Sequence, residues 1–70
     1  MPYTETRKIE IAADEMIARF GDERAAIEAA TWANAAYDRG DTAKYEFWQW
    51  VAMDINERVY QAARSKKQVN

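Results

Sequence analysis

The chain has 70 residues, of which 49% are apolar, and its 10 basic and 12 acidic side chains give a formal net charge of −2. Because it has no cysteine and no histidine, we exclude disulfide staples, thiolate and imidazole catalysis and the usual zinc sites. No apolar run reaches the roughly 18 residues of a membrane span, so we expect a single small domain that does not enter a membrane.

Two Gly-Asp pairs divide the chain into three predicted helices. In Gly21-Asp22 and in Gly40-Asp41, the glycine can end one helix in a left-handed conformation and the aspartate can cap the next. Such short connections place neighbouring helices antiparallel. The sequence therefore predicts an all-α, three-helix antiparallel bundle, with helices over residues 5–20, 23–39 and 42–65.

The first helix has Thr4 as its expected N-cap and an apolar stripe at helical spacing. The residues of this stripe are Ile9, Ala12, Ala13, Met16, Ile17 and Phe20. On the exposed surface, Glu15 and Arg19 are four residues apart and are expected to pair.

The second helix is rich in alanine, which allows a neighbouring helix to approach closely. We therefore expect it to be the central helix, sandwiched between the other two. Its predicted inner face is Ala26, Ala29, Ala30, Ala33, Ala36 and Tyr37, with Ile27 and Trp32 at the margins.

The third helix has its own core stripe, and Asp54 and Arg58 are expected to form an i, i+4 ion pair along it. The residues of this stripe are Tyr45, Trp48, Val51, Ala52, Ile55, Val59 and Ala62.

The sequence as a whole predicts a single domain over residues 1–65, followed by a frayed tail at 66–70.

A surplus apolar face on the third helix is the main functional signal. The helix is about two turns longer than its companions. Trp50, Met53 and Tyr60 point away from the core stripe, with Phe47 on the flank. Aromatic residues and methionine are enriched at interfaces, and so small a domain gains from a second copy. We expect a homodimer through these four residues; the alternatives are contact with another protein, or packing of these side chains within one chain.

Charge is unevenly distributed along the chain. Residues 1–57 carry a net charge of −6, which argues against nucleic-acid binding, whereas residues 58–70 carry +4. Cations at a helix C-terminus are favoured by the helix dipole, which explains this basic end. The alternative is a regulatory module that contacts nucleic acid or a transcription component there, through Arg58, Arg64, Lys66 and Lys67.

Motifs for catalysis or cofactor binding are weak. Glu10 and Asp14 share a helix face, but that face is polar and solvated, and no serine or threonine lies beside a plausible base. The only glycines are Gly21 and Gly40, so no glycine-rich phosphate loop occurs. We therefore expect no enzyme activity, no cofactor and no metal.

Three further binding motifs have little support. The tripeptide Arg39-Gly40-Asp41 matches a cell-adhesion sequence but is already explained as a turn and a cap. A DNA-reading third helix would have Lys44 as the only cation in its N-terminal half. An aromatic groove for a small ligand remains an alternative, and it would be lined by Trp32, Trp48 and Trp50.

The N-terminal residues lack a basic region followed by an apolar stretch, so the expected location is the cytoplasm. A set of cap and core residues occurs in a characteristic order along the chain: Ala12, Met16, Ile17, Phe20, Gly21, Asp22, Ala26, Ala30, Ala33, Gly40, Asp41, Trp48, Val51, Ile55 and Glu57. This order resembles a group of short alphaproteobacterial helical proteins of unknown function. The resemblance covers residues 9–60 and implies a bacterial, cytoplasmic, stand-alone helical protein, with no activity or binding residues to transfer.

Overall fold

The computed structural model describes residues 3–68 of the chain, with side chains over 6–64. It contains three helices and confirms the all-α bundle, with the third helix the longest. The helices are α1 (Tyr3–Phe20), α2 (Asp22–Asp38) and α3 (Thr42–Gln68).

The start of the first helix differs from the prediction. The helix begins at Tyr3, so Thr4 lies inside α1 and the prediction that it is the N-cap is wrong. Of the tail predicted to fray, residues 66–68 belong to α3 and residues 69–70 lie outside the described part.

Large core side chains come from α1 and α3. Met16 is 4% exposed, and Val51 and Ile55 are fully buried. All six predicted positions of the α1 stripe are buried or pack against this core, and so are most positions of the α3 stripe. Ala62 is exposed, as are all residues over 60–64 of α3.

The core face of α2 is rotated from the predicted one. Its buried residues are all alanines, and they include Ala25, which the sequence did not place inside. Ala30 is exposed, as is Tyr37 at 67%, so the prediction that these two face the core is wrong. Alanine occurs on several sides of this helix, and no stripe of bulky apolar residues marks one of them, so the sequence does not determine which side faces inward. The buried set is Ala25, Ala29, Ala33 and Ala36.

The prediction that α2 is sandwiched between the other helices is also wrong. The most extensive packing joins α2 to α3, and α1 lies against both of them to a similar extent. Only residues 39–41 connect α2 and α3, so two helices that pack along each other there must run antiparallel. The assembled bundle is elongated, with principal extents of 48 × 26 × 17 Å.

The second Gly-Asp pair works as predicted. Gly40 has a positive φ of 77°, and its N–H donates to the Tyr37 carbonyl at 3.0 Å. The Asp41 N–H donates to the Ala36 carbonyl at 2.9 Å, which completes the closure of α2. The Asp41 carboxylate then accepts a 3.2 Å bond from the Lys44 backbone N–H and caps α3.

The first Gly-Asp pair works differently. Gly21 alone separates α1 from α2, at φ 85° and ψ 167°, and it occupies the N-cap position without any side-chain cap bond. Its N–H donates to the Ile17 carbonyl and its own carbonyl accepts from the Ala25 N–H, both at 2.9 Å. Asp22 is therefore not the predicted cap; it lies in the first turn of α2, where its charge still favours the helix dipole.

Two substitutions one residue apart test the orientation of α2. Ala29→Leu inserts three carbons into a fully buried site and should lower the free energy of unfolding by about 1–3 kcal/mol. Ala30→Leu places the same atoms in solvent and should leave that free energy nearly unchanged. Urea denaturation followed by far-UV circular dichroism measures both, and equal losses would contradict the observed orientation.

Gly40→Ala should destabilise the fold through backbone conformation alone. An added Cβ at Gly40 meets no atom within 4 Å, but the positive φ is unfavourable for alanine by about 1–2 kcal/mol. Gly40→Asn should lose less, because asparagine tolerates this region. The same denaturation assay ranks the two variants, and an asparagine variant less stable than the alanine one would contradict this explanation.

Candidate functional site

The outward side of α3 is the candidate site. The helix presents Val51 and Ile55 to the core, and Trp50, Met53 and Tyr60 lie on its other side. In the single chain these three side chains are 48%, 56% and 59% exposed. Large apolar groups in such positions leave a considerable surface in water that a neighbouring molecule could cover.

Phe47 lies apart from these three residues. It is half-buried and packs against the core cluster. Its ring meets the Trp48 ring edge-to-face, with centroids 5.1 Å apart. Of the four predicted interface residues, the structure therefore groups Trp50, Met53 and Tyr60 on the outside and assigns Phe47 to the edge of the core.

A groove between α1 and α3 extends the exposed face. Its volume is about 390 Å³. Ile9 from α1 joins Trp50 and Met53 to form its apolar part, and three carboxylates stand around it. The remaining lining residues are Thr6, Glu10, Asp54 and Glu57. The site is thus apolar at its centre and acidic at its rim.

The tryptophans do not form one ligand groove. Trp32 and Trp48 meet edge-to-face with centroids 4.8 Å apart, and Phe20 extends the contact to α1 at 6.3 Å. The three rings join all three helices. Trp32 and Trp48 line two grooves, of which one is bordered by the cations Arg39 and Lys44. Trp50 lines neither of these grooves, so the predicted set of three tryptophans is divided between different faces.

Arg58 is held by contacts within the chain. Its guanidinium pairs with Asp14 of α1 and with Asp54 one turn back on α3, the latter at 3.2 Å, and it donates to the Glu10 carbonyl at 3.3 Å. The hydrogen bond to Asp14 raises the pKa of Arg58 above its ordinary value; desolvation opposes the rise and Asp54 adds to it. The predicted Asp54–Arg58 pair is confirmed.

The bridge to Asp14 was not predicted, because 44 residues separate the partners and no sequence spacing relates them. It leaves Arg58 poorly placed for the outside contact that the sequence proposed. Of the other predicted basic residues, Arg64 is exposed, and the side chains of Lys66 and Lys67 lie outside the described part. The predicted Glu15–Arg19 pair is not among the ion pairs formed by the described side chains.

The acidic pair considered for catalysis is also divided. The Asp14 carboxylate binds Arg58, while Glu10 lines the α1–α3 groove and both residues are exposed. Within the described residues, no group of three or more acidic, histidine or cysteine side chains is arranged to hold a metal ion. None of the described helices has the length and apolar character needed to cross a bilayer.

Three exposed apolar residues were not among the predicted site residues: Ile11 at 50%, Ile27 at 62% and Tyr37 at 67%. Tyr37 contacts the Tyr45 ring at 5.3 Å, near the α2–α3 connection. Ile27 stood at the margin of the predicted α2 face, and the rotation of that helix explains its exposure.

No family model, curated protein or solved structure matches this chain.

Asp14→Asn tests the bridge between α1 and α3. Removing the charge of an exposed carboxylate should lower the free energy of unfolding by about 0.5–1 kcal/mol at low salt, and the loss should shrink as salt is added. Glu15→Gln, one residue along α1, is the matched control and should change little. Urea titrations at two salt concentrations measure both variants, and equal losses would contradict a specific role for Asp14.

Proposed function

We propose that this chain is a non-enzymatic protein–protein interaction protein that self-associates through the outer face of α3, in the bacterial cytoplasm. The observation that carries this proposal is the alignment of three large, half-exposed apolar side chains along one helix: Trp50, Met53 and Tyr60.

The energetic argument concerns how little the chain buries by itself. Val51 and Ile55 are the largest fully buried side chains among the described residues. Covering a large apolar side chain is worth roughly 1.5–3 kcal/mol, and each copy has three that are about half exposed. Association through them therefore supplies stabilisation on the scale of a small domain's total. A second copy is the simplest partner, since a two-fold contact uses the same face twice.

Contact with nucleic acid or a transcription component through the basic end has less support. Such binding relies on cations that are free to neutralise phosphates. Arg58 is engaged by Asp14 and Asp54, and the groove beside Trp50 is acidic. Arg64 is the one cation of the predicted basic set whose side chain is both described and exposed.

Trp50→Glu should convert the protein to a monomer. The new carboxylate would lie near those of Glu10 and Asp54, so covering the face would bury an unpaired charge at its apolar centre. Sedimentation equilibrium over a concentration series measures the mass. The unchanged chain should approach twice its 8.1 kDa mass as concentration rises, and the variant should not.

Ile27→Glu is the matched control, because Ile27 is 62% exposed on α2 and its replacement adds the same charge elsewhere. It should leave the dimer intact. Far-UV circular dichroism of all three proteins separates loss of association from loss of folding. An unchanged chain that stays monomeric at every concentration would overturn the proposal.

A further inference from the structure

The exposed face of α3 has a seven-residue repeat. Its members are spaced alternately four and three residues apart, and all are exposed. The positions between them carry the buried and half-buried residues, including Val51 and Ile55, so this face is opposite the core. Alternating spacing of this kind is the pattern by which two helices pack along each other over several turns. We call these residues the outer stripe: Glu46, Trp50, Met53, Glu57, Tyr60 and Arg64.

We infer that two copies pair through the outer stripe with their α3 helices antiparallel, about a two-fold axis that crosses the stripe between Met53 and Glu57, at the level of residue 55 along the helix. This inference rests on the self-association proposed above and specifies its orientation and register. It identifies the occupant of the exposed face as a second copy of the same chain.

The register follows from the spacing. In an antiparallel pair, the two alternating positions of the repeat face each other across the axis. Trp50 then faces Tyr60 of the second copy, and by symmetry Tyr60 faces Trp50 there. Met53 faces Glu57 of the second copy. No other antiparallel register places both aromatic residues against aromatic partners. This register is favoured because aromatic rings attract each other in edge-to-face contacts.

Charge selects this orientation. Glu46 lies at one end of the outer stripe and Arg64 at the other; both are exposed, and neither forms an ion pair within the described part of the chain. The antiparallel register brings Glu46 against Arg64 of the second copy, twice per dimer. A parallel pair would instead bring like charges together at both ends. The stripe is therefore self-complementary in one direction only.

The α1–α3 groove fits the same arrangement. Tyr60 of the second copy would approach Trp50, where Ile9 and Met53 supply the apolar wall. A tyrosine suits this place, since its ring can be covered while its hydroxyl reaches the rim. Glu57 is the unfavourable member near the axis. Its carboxylate accepts a 3.1 Å bond from Gln61 of the same helix, so one of its oxygens already has a partner within the chain.

A competing stripe on α2 lacks this complementarity. Ile27 and Tyr37 are exposed ten residues apart, as Trp50 and Tyr60 are. Pairing them antiparallel would place Glu23 level with residue 41 of the second copy, which lies beyond the end of α2, so no opposite charges meet at the ends of this stripe. The polar Asn34 also lies between them. Charge and apolar bulk both favour the stripe on α3.

A charge exchange tests the register. Glu46→Arg alone places two cations together at each end of the interface, and Arg64→Glu alone places two anions together. Each single variant should raise the dimer dissociation constant about tenfold at low salt, from two symmetry-related contacts. The double variant Glu46→Arg/Arg64→Glu should return it close to the starting value. Sedimentation equilibrium measures all four proteins.

A spin-label distance tests the orientation independently. The chain has no cysteine, so Ala43→Cys gives a single labelling site on the exposed surface of α3. Residue 43 is 12 residues from the axis, so the two labels of an antiparallel dimer should lie about 36 Å apart along the helices. In a parallel pair they would lie side by side. Pulsed electron resonance distinguishes these distances.

The outcomes separate this inference from the proposal beneath it. Failure of the unchanged chain to dimerise overturns both. Suppose instead that the chain dimerises and that Trp50→Glu disrupts the dimer. Either a double exchange that fails to restore association, or two spin labels that lie side by side, then overturns the antiparallel register alone. A dimer lost on Ile27→Glu and kept on Trp50→Glu assigns the interface to α2 and overturns the use of the outer stripe.

Discussion

The absence of any buried side chain larger than alanine on α2 constrains the rest of the bundle. Its buried residues are four alanines, with Ala26 and Trp32 packed against the core beside them, so a neighbouring helix can approach its backbone closely. The apolar volume must then come from α1 and α3, chiefly from Met16, Val51 and Ile55. Such a core is thin. It leaves α3 covered on one side only, and the outer stripe is the geometric consequence.

Because the buried core is small, aromatic and ionic contacts at its edges also join the three helices to one another. Trp32 joins Phe20 and Trp48 through edge-to-face contacts, so one ring links all three helices. On the opposite side of α1, Arg58 ties that helix to α3 through Asp14. These contacts fix α1 beside α3, and the same placement forms the groove that borders Trp50. Packing within the chain thereby shapes the surface that is available outside it.

The sequence revealed those parts of the fold in which bulk or local spacing carries the information. The α1 stripe was predicted fully, because Met16 and its large neighbours define one face, and Asp41 was predicted as a cap because its bond spans three residues. The α2 face was predicted wrongly, since alanine occurs on several sides of that helix. The contact of Arg58 with Asp14 was missed because it depends on tertiary placement. The exposure of Trp50 was predicted from the helical spacing of residues along α3 alone. The acidic groove beside it could not be predicted, because it depends on where α1 packs against α3.

The arrangement of charge distinguishes the outer stripe from a simple excess of apolar residues. An apolar patch that has no charged residues along its length can be covered in many registers, which favours aggregation rather than a defined complex. Glu46 and Arg64 end the outer stripe with opposite charges, and Glu57 interrupts its middle. The first feature disfavours parallel pairing, and the second limits the apolar area that a partner can cover. A surface with these properties suits the antiparallel self-association proposed above, because only one orientation satisfies its charges.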